Sequence, residues 1–292
     1  MRRNKGLMIS AIALVGAFAL SGCTDSGAST PSAAPVEEDV TFEEGTTMAA
    51  LNEAGEITIG TKFDQPLFGL KGPDGNPVGF DVEIGKLIAA KLGIEPSGIT
   101  WTETVSANRE PFIQNGQVDL VVATYTINDA RKEVVSFAGP YYEAGQDLLV
   151  LAGNEAGIKG PEDLADKKVC TVSGSTSEKN IQAYTDPSNI IATDTYSNCL
   201  GPLRSGEVAA VTTDNVILAG LADQNAGEFE VVGNPFTAEP YGIGLAKDDT
   251  EFRNFINDVL EESYEDGSWD AAWEATAGSV LETPKPPAVD RY

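Results

Sequence analysis

Apolar positions in the first half of the chain follow the order expected for alternating strands and helices. Residues 56–60 alternate between polar and apolar side chains, a pattern typical of a strand. Residues 81–92 have apolar side chains at helical spacing, and Gly93 follows them as a typical helix end. Residues 118–123 form an almost wholly apolar run of the kind buried in a parallel sheet. This alternation predicts an α/β fold in layers.

A second series of the same kind starts near Leu148. Each half repeats one local order, in which a helix ends at a glycine, Gly116 or Gly206, just before an apolar strand. This short internal similarity favours two lobes of related structure. The predicted elements of the second series are residues 148–151, 161–164, 168–172, 200–205 and 208–213.

The N-terminus has the pattern of an export signal. Three basic residues lie among the first five, and the uncharged run 6–20 is too short to span a bilayer, which takes about 20 apolar residues. Leu20-Ser21-Gly22-Cys23 is similar to the bacterial lipobox, in which the chain is cut before the cysteine and the cysteine receives diacylglycerol. We therefore predict a lipoprotein signal peptide over 1–22 and a lipid anchor at Cys23, on the outer face of the cytoplasmic membrane. An ordinary signal peptide with a chance cysteine is the alternative.

Two segments are predicted to lie outside the folded body. Residues 23–45 are rich in Ser, Thr, Ala and Pro and then in acids, which predicts a flexible tether. Residues 283–292 contain three prolines, which predicts a loose C-terminal tail. The body between them has about 235 residues, enough for two lobes.

The charge balance excludes several partners. The formal net charge is −26 for the whole chain and −29 once the three basic residues of the signal are removed. Such an acidic surface argues against nucleic acid, which prefers a basic face, and against electrostatic docking on anionic lipid.

Histidine and cysteine usage limits the chemistry further. The chain has no histidine, so a Ser-His-Asp triad is impossible and the commonest metal ligand is missing. We expect no metal and no cofactor. Of the three cysteines, Cys170 and Cys199 remain after Cys23 is assigned to lipid. In an exported protein this even pair predicts a disulfide, with two buried free thiols as the alternative.

Polar side chains follow the predicted strands, where ligands of open parallel sheets bind. They include three cations, several hydroxyl groups and one carboxylate. A dicarboxylate that carries one ammonium group is complementary to such a set. The residues are Thr61, Lys62, Ser106, Asn108, Arg109, Thr124, Thr126, Arg131, residues 173–176 and Asp214.

Four segments resemble the signature of the polar amino-acid family of solute-binding proteins of ABC importers. The longest reads DLVVATYTINDAR from Asp119 to Arg131, and the others are GFDVEI at 79–84, VSFAGPYY at 135–142 and DGSW at 266–269. The similarity covers about residues 57–277. It implies a non-enzymatic binding protein, expected to be a monomer, that delivers its ligand to the membrane subunits of an ABC importer.

The resemblance also implies the fold. It is the type II periplasmic-binding-protein fold, in which two Rossmann-like α/β lobes are joined by a two-segment hinge and close on the ligand. Lobe one would comprise residues 46–144 plus 240–282, and residues 145–239 would form the hinge and lobe two.

Site roles follow from the matching positions of the family. Arg131 would pair with the ligand α-carboxylate and Asp214 with the α-ammonium. Thr126 would add a hydroxyl and a backbone donor, and the Thr124 backbone, at a position that is often Gly in the family, would lie near the ammonium. Further contacts would come from the donors Ser175 and Thr176 and from the cleft-lining ring of Phe68.

Four other positions bear on ligand choice. Ser106 and Arg109 are similar to the segment that holds the side-chain carboxylate in glutamate- and aspartate-binding members. Lys62 stands where those members have Arg, and Tyr196 near where some have His. A glutamine ligand would leave a buried cation unpaired, so the expected ligand is L-glutamate, with aspartate next and glutamine as the alternative.

Two rival functions remain open at this stage. One is a lyase acting on a small carboxylic acid, since fold does not decide function. The chain has no histidine, and no second carboxylate is expected near Asp214, which argues against a lyase. The other is a sensor component that presents its ligand to a signalling partner.

Overall fold

The computed structural model describes residues 35–292, so the predicted signal peptide and Cys23 lie outside the described residues. The helices of the described part are α1 (Thr47–Ala54), α2 (Phe80–Lys91), α3 (Arg109–Gln114), α4 (Asp129–Lys132), α5 (Thr176–Ile181), α6 (Leu200–Ser205), α7 (Asn215–Gln224), α8 (Thr250–Asp266) and α9 (Ser268–Ala275). Short 3-10 helices lie at Pro96–Gly98, Ser106–Asn108, Pro161–Leu164, Pro187–Asn189, Tyr196–Cys199 and Ala277–Ser279. Within residues 35–292, no helix is both long and apolar enough to cross a membrane.

The strands form three sheets, two of them large. In chain order they are β1 (Ile57–Thr61), β2 (Asp64–Gln65), β3 (Gly69–Lys71), β4 (Pro77–Val78), β5 (Ile99–Glu103), β6 (Leu120–Val121), β7 (Ser136–Ala144), β8 (Gln146–Leu151), β9 (Val169–Val172), β10 (Ile190–Thr193), β11 (Ala210–Asp214), β12 (Phe229–Val231) and β13 (Glu239–Leu245). The small sheet has the order β2-β3-β4.

The two large sheets have the same plan. The first has the order β5-β1-β6-β13-β7 and the second β10-β9-β11-β8-β12. In each, three neighbouring strands are parallel and the remaining two run antiparallel to their neighbours. Helices α2 and α8 contact the first sheet and α5 and α7 the second. The loops at the carboxyl ends of the parallel strands therefore lie at one edge of each lobe.

The chain crosses between the two sheets twice. It leaves the first sheet at Ala144, the end of β7, and enters the second at Gln146, the start of β8. It returns between Val231, the end of β12, and Glu239, the start of β13. Two α/β lobes joined by two segments are the predicted fold class, which is confirmed.

Stacked aromatic side chains form part of the core of the first lobe. Trp269 and Trp273, four residues apart on α9, stack with 5.9 Å between ring centroids, and Tyr142 stacks on Trp273 at 5.1 Å. Both tryptophans are fully buried, and Trp269 Nε1 donates to the Tyr141 carbonyl at 3.0 Å. This bond satisfies one buried indole inside an otherwise apolar cluster.

The predicted disulfide between Cys170 and Cys199 is present, with 5.6 Å between the two Cα atoms. Cys170 lies on β9 and Cys199 ends the 3-10 helix Tyr196–Cys199. The bond therefore ties a parallel strand of the second lobe to the turn that carries Tyr196.

The end of the predicted tether is not a flexible linker. The Glu37 N–H donates to the Ala90 carbonyl at 3.0 Å, and the Glu37 carboxylate meets Lys91 Nζ at 2.6 Å. The Phe42 ring packs edge-on against Phe255 with 5.5 Å between centroids. Residues 37–45 therefore lie on the first lobe, because one aromatic side chain and one ion pair give an otherwise polar segment a surface to bind.

The C-terminal residues also differ from the prediction of a loose tail. The Asp290 N–H donates to a carbonyl of β7 at 2.8 Å, and the Tyr292 hydroxyl accepts from the Phe137 N–H at 3.0 Å. Lys132 Nζ and the Arg253 guanidinium lie 3.9 and 4.2 Å from the centroid of the Tyr292 ring. These contacts hold the tail on the first lobe, and their partners are too distant in sequence to be recognised from the prolines alone.

Candidate functional site

The loops at the carboxyl ends of the parallel strands of both lobes line a narrow cavity of about 10 Å³, room for about one water molecule. Its wall is almost entirely polar. All the residues predicted to bind ligand line it except Lys62, Phe68 and Arg131. The lining residues are Ser106, Arg109, Thr124, Thr126, Ser175, Thr176, Ser177, Tyr196, Asp214 and Ile217.

Arg109 forms the cationic part of the first-lobe wall. It is the first residue of α3 and only 3% exposed. Its Nη1 donates to the Ala123 and Thr124 carbonyls, both at 3.2 Å, and its guanidinium carbon lies 4.3 Å from the centroid of the Tyr125 ring. These contacts fix the guanidinium plane, so Arg109 presents a positioned positive charge at the cavity.

Thr124 lies beside Arg109 in a strained backbone conformation. Its φ is +43°, and its side-chain hydroxyl donates to Gln65 Oε1 at 2.9 Å. Its N–H donates to Asp81 Oδ2 at 2.8 Å. A β-branched residue rarely adopts positive φ. The hydrogen bond from the Thr124 hydroxyl to Gln65 helps to hold a side chain at a position that is often Gly in the family.

Arg131 lies next to the cavity without lining it. Its Nε donates to Glu110 Oε1 at 3.0 Å, its Nη1 to the Thr126 carbonyl at 2.7 Å and its Nη2 to the Gly174 carbonyl of the second lobe at 3.2 Å. Burial lowers the pKa of Arg131 to about 10, with Arg109 as the next cause, so Arg131 stays charged at neutral pH.

Sequence reasoning missed Glu110, the internal partner of Arg131. Glu110 directly follows Arg109 in the first turn of α3. An acidic side chain in the first turn of a helix is already accounted for by its favourable interaction with the helix dipole, so the sequence gives no reason to expect another partner. Its pairing with Arg131, 21 residues away, depends on how α3 and α4 are placed together.

Lys62 is also set back from the cavity. It is 3% exposed, and its Nζ donates to Ser106 Oγ at 2.9 Å. Burial lowers the pKa of Lys62 to about 7, helped by the charge of Arg109, while Asp64 and Asp81 act in the opposite direction. Two carboxylates of the protein therefore lie near enough to balance part of its charge.

Asp214 supplies the anionic part of the second-lobe wall. It ends β11 and is 4% exposed. Its Oδ2 accepts from the Tyr241 hydroxyl at 2.6 Å, and its Oδ1 is buried without a hydrogen-bond partner among residues 35–292. Burial and, after it, the charge of Glu239 raise the pKa of Asp214 to about 7.

Glu239 corrects one expectation. The sequence predicted no second carboxylate near Asp214, yet Glu239 acts electrostatically on it. Glu239 is 1% exposed at the start of β13, and its Oε1 accepts from Asn180 Nδ2 at 3.0 Å and from the Thr237 hydroxyl at 2.8 Å. These bonds place it among hinge and α5 residues, and it does not line the cavity.

The remaining second-lobe residues divide between local structure and the cavity. Ser175 caps α5, because its Oγ accepts from the Glu178 N–H at 2.9 Å and donates to the Val172 carbonyl at 2.7 Å. The Thr176 and Thr126 hydroxyl oxygens are 3.4 Å apart across the two lobes. The Ser175 hydroxyl is therefore used within its own lobe, whereas Thr176 faces the first lobe.

Tyr196 connects the lobes through its backbone. Its N–H donates to Asp64 Oδ2 at 2.9 Å, and its ring lines the cavity. Burial raises the pKa of the Tyr196 phenol, with the charge of Asp214 as the next cause. This residue is 3% exposed and contributes a neutral hydroxyl to the second-lobe wall.

Phe68 is not a cavity residue. Its side chain is fully buried and meets the rings of Phe80, Tyr142, Tyr241 and Trp273 with centroid distances of 5.8 to 6.2 Å. Phe68 was predicted to line the cleft, but its side chain lies inside this aromatic cluster of the first lobe.

The arrangement is suited to holding a small dipolar molecule. Arg109 and Arg131 place positive charge on the first-lobe side, Asp214 places a carboxylate on the second-lobe side, and hydroxyl groups lie between them. Among the described residues, no group of three or more acidic or cysteine side chains is placed to hold a metal ion.

Comparisons with known proteins find relatives among bacterial binding proteins. The sequence model of the bacterial extracellular solute-binding proteins, family 3, matches residues 57–275. The glutamate-binding protein GluB of Corynebacterium efficiens is 44% identical over 78% of this chain and 80% of its own length. The glutamine-binding protein GlnH of Bacillus subtilis is 37% identical over 90% and 94%. The structure of an ancestral arginine-binding protein bound to glutamine is 38% identical, with a TM-score of 0.70, over 75% and 96%.

Proposed function

Because the chain belongs to the bacterial extracellular solute-binding proteins of family 3, we propose that it binds glutamate between its lobes and delivers it to an ABC amino-acid importer. The role is solute binding rather than catalysis. The proposed ligand follows from the chemistry of the cavity wall together with the names of the relatives.

One observation carries the proposal. Within the part of the chain that the structure describes, Asp214 Oδ1 is buried at the cavity with no hydrogen-bond partner, and Arg109 lines the same cavity from the first lobe. A buried carboxylate oxygen is costly unless a donor pairs with it. The α-ammonium of an amino acid is such a donor, and its α-carboxylate would meet Arg131 and the Thr126 and Thr176 hydroxyls when the lobes close.

The choice of glutamate over glutamine rests on Arg109. Lys62 does not decide it, because Asp64 and Asp81 already oppose the loss of its charge and its Nζ is bonded to Ser106. Arg109 lines the cavity with carbonyl groups as its only hydrogen-bond acceptors in residues 35–292. A ligand carboxylate would supply a hydrogen-bonded counter-charge, whereas Asp81 and Asp214 act on Arg109 without a hydrogen bond to it in residues 35–292. GluB supports this choice at 44% identity, and GlnH keeps glutamine as the second candidate.

Calorimetric titration with glutamate, aspartate, glutamine and arginine tests the ligand. We expect glutamate to bind most tightly and the Arg109→Met variant to lose about tenfold or more in glutamate affinity while glutamine affinity changes less, since only the acid pairs with the cation. Equal losses for both ligands would exclude Arg109 as the discriminating residue. Absence of binding by any amino acid would refute the proposal.

The chain is also proposed to be anchored by lipid at Cys23. The support is the Leu20-Ser21-Gly22-Cys23 segment after an uncharged apolar run. Detergent phase partitioning of the mature protein tests it. The wild type should enter the detergent phase and Cys23→Ser should remain in the aqueous phase, whereas identical partitioning of the two would contradict the anchor.

A further inference from the structure

The Thr124 peptide is held from three directions. Its N–H donates to Asp81 Oδ2 at 2.8 Å, its hydroxyl donates to Gln65 Oε1 at 2.9 Å, and its carbonyl accepts from Arg109 Nη1 at 3.2 Å. These partners come from α2, β2 and α3. Because positive φ is unfavourable for a β-branched residue, this conformation persists only where the surroundings impose it.

Asp81 is the least expected of the three partners. Its side chain is fully buried in the first turn of α2, and its Oδ1 accepts from the Tyr141 hydroxyl at 2.6 Å. It does not line the cavity. Burial raises its pKa to about 7, whereas its hydrogen bonds and the charges of Lys62 and Arg109 favour the ionised form. The carboxylate thus lies behind the cavity wall with both oxygens engaged.

The position of Thr124 determines the position of Arg109. The same Nη1 of Arg109 donates to the Ala123 and Thr124 carbonyls, so a change in the peptide between these residues would turn the guanidinium plane. Within residues 35–292, the Arg109 guanidinium hydrogen-bonds to the Ala123, Thr124 and Ser106 carbonyls and packs on the Tyr125 ring, so the strained peptide contributes two of the four contacts that orient it.

We propose that Asp81 is a positioning residue for ligand binding, which holds the Thr124 peptide at positive φ and thereby fixes Arg109 at the cavity wall. Asp81 does not touch the ligand in this scheme. The proposal rests on the proposed function only in that an amino acid occupies the cavity.

A glycine substituted for Thr124 separates positioning from simple support of the fold. Glycine adopts positive φ without the steric cost of a Cβ, so the backbone of the Thr124→Gly variant needs less help from Asp81. Asp81→Ala should therefore weaken ligand binding in the wild-type background and do so much less in the Thr124→Gly background. If Asp81 only stabilised α2, both backgrounds would respond alike.

The experiment is a double-mutant cycle measured by calorimetry with glutamate, on wild type, Asp81→Ala, Thr124→Gly and the double variant. We expect Asp81→Ala to lose about tenfold in affinity relative to wild type, but the double variant to lose less than about threefold relative to Thr124→Gly, whatever the effect of Thr124→Gly alone. If wild type prefers another amino acid, the cycle uses that ligand. Wild-type binding with an unaffected Asp81→Ala overturns this inference and leaves the proposed function standing.

Tyr141→Phe is the matched control. It removes the other hydrogen bond of the Asp81 carboxylate and leaves the bond to the Thr124 N–H in place. We expect lower thermal stability with affinity within about threefold of wild type. An affinity loss in Tyr141→Phe as large as that in Asp81→Ala, or equal effects of Asp81→Ala in both backgrounds, would overturn the positioning role.

Asp81→Leu serves if Asp81→Ala does not fold. It is of similar shape and removes both acceptor oxygens of the carboxylate, so the Thr124 N–H loses its partner. A loss of affinity that Thr124→Gly reverses supports the proposal, and unchanged affinity overturns it.

Discussion

The guanidinium of Arg131 bridges three parts of the molecule. It meets Glu110 on α3, the Thr126 carbonyl and, across the cleft, the Gly174 carbonyl. Glu110 takes the Nε edge, which leaves the two terminal nitrogens directed at the cleft. A ligand α-carboxylate could replace the carbonyl contacts of these nitrogens and gain a bidentate, charge-assisted pair.

Arg131→Ala should therefore weaken glutamate binding by well over tenfold, because it leaves a ligand carboxylate buried without its cation and removes a bond between the lobes. Calorimetric titration measures the loss. Lys132→Ala is the control, since Lys132 lies on the same short helix but contacts Asp290 and Tyr292 rather than the cavity. A change of less than about threefold in Arg131→Ala would rule out the assigned role.

Asp214 should make the stability of the ligand-free protein depend on pH. Burial and Glu239 raise its pKa from 3.8 to about 7, against the opposing effects of Tyr241, Arg109 and Arg131. The native state therefore holds more protons at this group than the unfolded chain between about pH 4 and 7, so the contribution of Asp214 to stability falls as pH rises through that window.

Urea unfolding of wild type and Asp214→Asn at pH 5 and pH 8 isolates this contribution, because the other titrating groups cancel in the difference. The variant should gain stability relative to wild type on going from pH 5 to pH 8, since the neutral amide avoids the cost of a buried charge. A difference that does not change with pH would mean that the Asp214 carboxyl has an ordinary pKa.

Sequence reasoning found most cavity residues for a simple geometric reason. Thr124, Thr126 and Asp214 follow parallel strands, and the carboxyl ends of such strands meet at one edge. It did not find Glu110 or the role of Gln65, because these contacts depend on the relative placement of elements that local patterns do not encode. Phe68 was misplaced for the same reason, since its aromatic neighbours include α9 residues about 200 positions away.

At the scale of elements, the disulfide joins β9 to the 3-10 helix Tyr196–Cys199. Strand β9 leads directly to the Ser175–Thr176 segment, and the 3-10 helix begins with Tyr196, so both linked elements carry cavity residues. The bond closes a loop of sequence separation 29, which corresponds to about 3–4 kcal/mol of stabilisation in the chain-entropy model.

Cys170→Ser combined with Cys199→Ser should therefore lower the free energy of unfolding by about 3–4 kcal/mol and weaken glutamate binding, because Tyr196 loses one of its restraints. Urea denaturation and calorimetry measure the two effects. Wild type treated with a reductant should resemble the double variant. Two thiols that react with an alkylating agent in the unreduced wild type would contradict the bond itself.

Two segments, residues 118–123 and the last ten residues, have contacts that their local sequence does not predict. The apolar run 118–123 predicted one continuous strand, but only Leu120–Val121 pairs as β6, because the chain turns toward the cavity at Thr124. The prolines of the last ten residues correctly exclude helix and strand there. They carry no information about Tyr292, whose partners Phe137 and Arg253 come from distant elements.

At the scale of the whole molecule, several side chains of the first lobe hydrogen-bond to the second around the cavity, including Tyr241, whose hydroxyl donates to Asp214. Arg131 reaches the Gly174 carbonyl, the Thr126 hydroxyl meets that of Thr176, and Asp64 accepts from the Tyr196 N–H. Arg131 and Thr126 would also touch a ligand. Asp64 does not line the cavity, so its contact contributes to closure without contributing a ligand bond.

Asp64→Ala removes a hydrogen bond between the lobes and should therefore favour their open arrangement. We expect glutamate binding to weaken by about threefold to tenfold, because part of the binding free energy must then be used to close the lobes. Small-angle scattering should give a larger radius of gyration for the ligand-free variant than for ligand-free wild type, and saturating glutamate should bring the two together. Asp74→Ala is the control, since the hydrogen bonds of the Asp74 side chain in the described part of the protein stay within its own turn, to Asn76. Scattering and affinity in Asp64→Ala that match those of the control would show that this contact does not help to close the lobes.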